Sequence, residues 1–295
     1  MGEAGLSFRI SIASGKGGTG KTLLSVSLAY HLKENEHRKV ALVDLDVEEP
    51  NSSIFMKGYV TEVIPATRPV PKFDKMLCTN CNACADICMF NALLKAKEHV
   101  LIYKNLCHSC NACVRFCPTG ALQMADVGIG EVRFMNNPFA IPFVEGVLDI
   151  KEEMSAPLIA LTKDYSEKKF SNSEFIFYDS PPGTSCSYIE AIKDSDLVLI
   201  ITEPTPFGMS DSAIAIETAL KLNKETAVVI NRSVKNSGNV KAFFEEKGCQ
   251  VIAEIMNDRS VAEAYSRGDL PPESNSGFKS SIKTISDFIF SRSIK

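Results

Sequence analysis

A chain of 295 residues with 45% apolar content is long enough to bury one or two sizeable cores. Its net charge of -4 and pI near 5.7 supply no general basic field, so nucleic-acid binding is not expected. No apolar run approaches the roughly 20 residues of a membrane span and the N-terminus lacks a signal-peptide pattern, so a cytoplasmic location without membrane insertion is expected.

The first apolar run, Phe8 to Ala13, reads as a strand, and Leu23 to Leu32 carries helical periodicity. Between them stand Ser14, Gly15, Lys16, Gly17, Gly18, Thr19, Gly20, Lys21 and Thr22. The pattern G-x-x-x-x-G-K-[ST] after a strand and before a helix reads as a phosphate loop rather than an ordinary glycine turn. Its glycines let backbone N–H groups converge on an anion at the positive end of the helix dipole. Lys21 adds charge at the β/γ-phosphates, and the Thr22 hydroxyl suits Mg²⁺. Lys16 is a second lysine that a simple phosphate cradle does not need. Residues Lys16 to Thr22 resemble the deviant Walker A motif of the MinD/ParA/nitrogenase iron protein ATPases. That resemblance implies ATP at the interface of a homodimer, or of a heterodimer with a related ATPase, with Lys16 reaching the partner's phosphates.

Val40 to Val43 reads as a buried parallel strand that runs into Asp44, Leu45 and Asp46. Ligands gather at such strand ends, although a solvated acidic turn is the plainer reading. With Asn51 beyond, the segment resembles the family's first switch, which implies that Asp46 positions or activates water with Asp44 in support.

Residues Thr67 to Pro71 read as a proline-rich break, after which composition changes. Cys78, Cys81, Cys84 and Cys88 are spaced C-x2-C-x2-C-x3-C, and Cys107, Cys110, Cys113 and Cys117 repeat the spacing 29 residues later, before Pro118. Three closely spaced thiolates wrap one cluster, while the fourth is carried along to ligate the other. This places Cys78, Cys81, Cys84 and Cys117 on one [4Fe-4S] cluster, and Cys107, Cys110, Cys113 and Cys88 on a second. Zinc is the alternative, but it usually draws two close pairs from separated strands. His108 reads as a surface residue, since four thiolates already serve each cluster. The module resembles a bacterial two-cluster ferredoxin, with Met89 where proline usually stands. The expected division is residues 1–67 and 125–295 for the ATPase, with 68–124 as an inserted ferredoxin-like domain.

Gly128 to Phe143 is strand-like, Leu148 to Met154 reads as a helix, and Pro157 to Leu161 is an apolar segment. Phe175 to Tyr178 is a short buried strand ending in Asp179, Ser180, Pro181, Pro182 and Gly183. This resembles the family's Walker B and second switch, implying Asp179 near Mg²⁺ and a Gly183 N–H that senses the γ-phosphate. Leu197 to Thr202 and Ala227 to Ile230, with a helix from about Ser210 to Leu222 between them, argue a parallel sheet. Asn231 can pair with adenine or simply make a turn, and the resemblance places Asn231 and Arg232 at the base. Glu203 to Gly208 and Asp258 to Tyr265 resemble MinD-superfamily ATPases that carry an inserted ferredoxin domain.

Cys186 lies seven residues past Asp179. It is either a small packed side chain or, by resemblance to the nitrogenase iron protein, a ligand of a possible third cluster at the dimer axis. Cys249 reads as core. Phe278, Ile282, Ile285 and Ile289 share one helical face, which fits packing on the sheet better than a membrane surface.

The expected fold is α/β: a mainly parallel P-loop NTPase domain flanked by helices, with an inserted small α+β 2[4Fe-4S] domain. The expected cofactors are ATP, Mg²⁺ and two [4Fe-4S] clusters. Three functions stand open: nucleotide-gated electron transfer to a redox partner, cluster assembly with delivery to an acceptor protein, and a MinD-like positioning switch.

Overall fold

The computed structural model describes residues 7–234, 238–270 and 275–294. Its main sheet is nine-stranded. The strands are β1 (Phe8–Ala13), β2 (Val40–Asp44), β3 (Tyr59–Phe73), β6 (Leu122–Asn136), β7 (Phe143–Leu148), β8 (Phe175–Asp179), β9 (Leu197–Thr202), β10 (Glu225–Ser233) and β11 (Gln250–Met256). A separate hairpin pairs β4 (Leu93–Ala96) with β5 (His99–Ile102). The spatial order is β11-β10-β9-β1-β8-β2-β7-β6-β3. All pairings from β11 to β7 are parallel, and only the last two, β7 with β6 and β6 with β3, are antiparallel.

The central strands are apolar throughout because helices cover both faces. Their period of two divides the core cleanly. Phe175 and Phe177 of β8 face a core closed by α1 (Lys21–Glu34) and α10 (Ser276–Ser293), while Ile176 and Tyr178 face one closed by α5 (Ser155–Lys169). A third core lies under α6 (Cys186–Ile192), α7 (Pro206–Lys221) and α8 (Gly238–Glu246) and takes in Cys249. The stripe Phe278, Ile282, Ile285 and Ile289 of α10 is buried in the first core. Among the described residues no helix is long and apolar enough to cross a membrane.

Two segments differ from the sequence-based expectation. The proline-rich stretch at 67–71 is no break, since β3 runs through it paired with β6 from Tyr59↔Asn136 to Phe73↔Leu122. β3 is the edge strand, where alternate N–H groups point away from the ladder, and Pro65, Pro69 and Pro71 share one parity. The expected boundaries at 67/68 and 124/125 therefore fall within β3 and β6. Leu148 to Met154 is not helical: β7 ends at Leu148, and α5 begins at Ser155 with Pro157 in its first turn, where no N–H is needed.

The β3–β6 hairpin carries the cysteine-rich segment at its far end. There α3 (Ala83–Asp86), α4 (Ala112–Arg115) and the β4–β5 hairpin enclose a small core of Val70, Ala92, Leu93, Cys107, Cys113 and Leu122.

Candidate functional site

The glycine-rich loop joins β1 to α1 at the carboxyl edge of the sheet. Gly18 and Gly20 sit at φ 75° and 103°, in the left-handed region that residues with a Cβ resist. Gly15 is needed for a different reason. A Cβ there would lie 2.2 Å from the Asp211 carbonyl, so the loop rests directly on the α7 backbone. Lys21 and Thr22 are buried at the start of α1, and the Thr19 hydroxyl is buried without a partner.

Beside the loop stand the ends of β2 and β8. Asp179 is fully buried and accepts from Ser25 Oγ at 3.2 Å and Ser52 Oγ at 3.0 Å. Burial raises its pKa, against the pull of Lys21 and the Thr22 hydroxyl. Asp44 is held well above the usual carboxylate range by burial and by neighbouring Asp179. Its oxygens accept the N–H groups of Asp46, Asn51 and Ser52, so Asp44 pins the loop after β2. Asp46 faces the cleft, and burial pushes its carboxyl up to about 7 while Lys21 opposes the rise.

The cleft above the loop has a volume of about 390 Å³. Gly17, Gly18, Gly20, Lys21, Thr22, Asp46, Asn231, Arg232, Asn257 and Tyr265 are among the residues that line it. Its size suits a nucleotide-sized ligand. A larger groove of about 710 Å³ between α7 and α8 holds none of these residues and is lined mainly by apolar side chains. Polar convergence, not size, marks the first as the candidate site.

Several expected residues are engaged elsewhere. Asn231 is buried, donates to the Thr19 carbonyl at 2.7 Å and accepts from the Arg232 N–H at 2.9 Å. The Gly183 N–H donates to the Ser14 carbonyl at 3.1 Å. Lys16 reaches sideways to Glu203 at 3.0 Å, and Arg232 binds the other Glu203 oxygen at 2.5 Å. Cys186 is exposed at the first turn of α6.

The cysteine segment holds two clefts. Cys78, Cys81, Cys84 and Cys117 line one, and Cys88, Cys107, Cys110 and Cys113 line the other. Burial raises the Cys84 thiol, reinforced by Cys117 and Cys78. Burial together with Cys107, Cys110 and Cys88 pushes Cys113 up to about 11. Backbone N–H groups of Asn80 and Ala92 donate to the sulfurs of Cys78 and Cys88. Among the described residues no three His, Cys, Asp or Glu side chains converge as a single metal ion requires. His108 is exposed and stacks on Phe90 with centroids 3.8 Å apart.

Sequence reasoning missed Ser25, Ser52 and Arg68, and it noted Tyr265 only as part of a family-like segment, with no place in the cleft. The Arg68 guanidinium is buried and donates to the carbonyls of Cys107 at 2.9 Å and Lys104 at 2.8 Å. Its only sequence signal was a charge beside Pro69 in an apparent loop.

Residues 10–271 match the CobQ/CobB/MinD/ParA nucleotide binding domain family. Two uncharacterised proteins of Methanocaldococcus jannaschii are similar along most of their length. One is 32% identical over 264 residues, covering 88% of this chain and 90% of that protein. The other is 33% identical over 287 residues, 97% of each. The fold is similar to that of the septum site-determining protein MinD complexed with Mg-ADP from Pyrococcus horikoshii. That match has a TM-score of 0.59 at 16% identity and covers 96% of each chain.

Proposed function

Because the chain belongs to the CobQ/CobB/MinD/ParA nucleotide-binding family, we propose that it binds and hydrolyses ATP and couples a nucleotide-driven dimer switch to electron transfer through two [4Fe-4S] clusters. One observation carries the redox half: two clefts, each lined by four cysteines, sit at the tip of a hairpin whose base belongs to the phosphate-loop sheet. Two compact C-x2-C-x2-C-x3-C runs suit clusters, whose ligands bind different irons, better than zinc, which usually draws two close pairs from separated strands.

In this reading the 14–20 loop cradles the phosphates, Lys21 neutralises their charge, and Thr22 with Asp179 holds Mg²⁺. The MinD fold relative carries Mg-ADP, and buried Asp179 gains a counter-charge when a cation binds. Asp46 orients the attacking water. Asp44 keeps the 46–52 loop in place, and Lys16 crosses to the partner's phosphates. The Gly183 N–H exchanges the Ser14 carbonyl for the γ-phosphate, which moves the start of α6. When bound, the clusters supply one-electron chemistry for a redox partner.

The exposed Cys186 at that same turn favours a second reading, in which two protomers carry a labile cluster to an acceptor protein. The fold likeness to MinD favours a third, a positioning switch. Anaerobic purification with iron and sulfide counting, EPR, and ATPase assays in oxidised and reduced states separates them. About eight irons per chain with redox-dependent turnover supports electron transfer. Iron that leaves for an apo-acceptor, and stays when Cys186 is replaced by Ser, supports the carrier. ATPase activity indifferent to loss of all eight cysteines leaves the switch.

A further inference from the structure

Glu203 follows β9 in the segment Glu203-Pro204-Thr205-Pro206. Its carboxylate is only 13% exposed, yet it meets two cations: Lys16 Nζ at 3.0 Å on one oxygen and Arg232 Nη1 at 2.5 Å on the other. These partners lie 187 and 29 residues away in the chain. The loop that presents it is braced. The Glu203 carbonyl accepts the Thr205 N–H at 2.8 Å, Thr205 Oγ1 caps α7 through the Gly208 N–H at 3.1 Å, and Thr202 Oγ1 donates to the Gly208 carbonyl at 3.0 Å. Gly208 leaves no room for a side chain, since a Cβ there would lie 2.6 Å from the Glu203 carbonyl oxygen. Both cations, by contrast, come from segments that border the nucleotide cleft. Lys16 precedes Gly17 of the phosphate loop, and Arg232 lines the cleft from a backbone held at φ 52°.

A lysine that pairs with Glu203 cannot at the same time neutralise a phosphate across a dimer. We propose that Glu203 is a positioning residue that holds Lys16 and Arg232 back in the nucleotide-free protomer. Dimer closure is then set by competition between Glu203 and the partner's phosphates for Lys16. The pair is partly shielded, so its attraction exceeds that of a fully exposed ion pair but remains weak enough for a multiply charged phosphate to win. This restraint prevents closure around an empty site, because without phosphate Lys16 has no better partner than Glu203. The inference rests on the cross-dimer role given to Lys16 above.

Two measurements on the full-length protein test it. Amine labelling of Lys16, read by mass spectrometry, reports the restraint in the protomer, and sedimentation with a non-hydrolysable ATP analogue reports closure. Glu203→Gln keeps the side-chain shape and removes the charge. It is expected to speed Lys16 labelling several-fold without speeding that of buried Lys21, and to lower the protein concentration at half-dimerisation about tenfold. A merely structural Glu203 would move the second reading the other way, because a damaged loop dimerises less well. Glu203→Asp, one methylene shorter, should give the same two changes in smaller measure, and serves if Glu203→Gln does not fold. Unchanged Lys16 labelling overturns the restraint, and faster labelling with an unchanged dimer midpoint overturns its control of closure. Lys16→Ala dimerising as readily as the unaltered protein sinks the cross-dimer reading itself.

Discussion

Replacing Gly15 by Ala tests whether the phosphate loop is seated on α7. The added methyl group would stand 2.2 Å from both the carbonyl carbon and oxygen of Asp211 and 2.7 Å from the Ser212 N, where ordinary contact begins at 3.4 Å. These are backbone atoms, so no rotamer relieves the clash. The loop and α7 must part by roughly 1.2 Å, a displacement that the tight burial of Ser212, Ala215 and Ile216 resists. Overpacking of this kind costs about 3 kcal/mol, which lowers Tm by roughly 5 °C in a chain of this size. Nucleotide affinity should fall at least tenfold as the N–H groups of the loop lose convergence. Gly17 is the control: a Cβ there meets nothing within 4 Å, and its φ needs no glycine. Gly17→Ala should leave stability within about 0.5 kcal/mol of the original, whatever it does to phosphate binding. Thermal melts and fluorescent-nucleotide titrations of both variants decide the matter. Equal melting temperatures for the two, or a larger loss at Gly17, would refute the claim that α7 seats the loop.

Asp44→Asn leaves one acceptor oxygen for three N–H groups and turns an amide donor toward them. It should cost about 1–3 kcal/mol and loosen residues 46–52, read by hydrogen exchange at Asn51 and Ser52, and unaltered exchange there would argue against it. Arg68→Met strips the carbonyls of Cys107 and Lys104 of a buried charged donor, so iron counting with EPR should show loss from the Cys107 side before the Cys78 side. Equal loss from both would relieve Arg68 of that role. His31 is buried, and burial, partly offset by Glu36, lowers its pKa. Below the ordinary value of 6.5 the unfolded chain takes a proton that the folded chain resists, so stability present above pH 6.5 is lost as pH falls. Denaturation midpoints at pH 7.5 and 5.5 should differ more for the original protein than for His31→Gln.

Features that close over a few residues were legible in the chain itself. The phosphate loop shows because glycine φ angles, the lysine and the threonine must act at fixed local spacing. The two cysteine runs show because their spacing repeats. Buried strands such as Phe175–Asp179 show because a parallel sheet covered on both faces admits long apolar runs, and α10 shows through its apolar stripe. Tertiary structure decided what depends on distant partners. Pro69 and Pro71 looked like a break because a proline removes a donor, but an edge strand needs only alternate donors, and edge status follows from the order of all nine strands. Asp44 was expected to support Asp46 from its place at a strand end, and only the loop folding back over it shows its oxygens accepting backbone N–H groups. The Lys16–Glu203–Arg232 pairing could not be read at all. Charges 187 and 29 residues apart meet only when β1, β9 and β10 stand side by side, and the strength of their attraction depends on the water that this packing excludes.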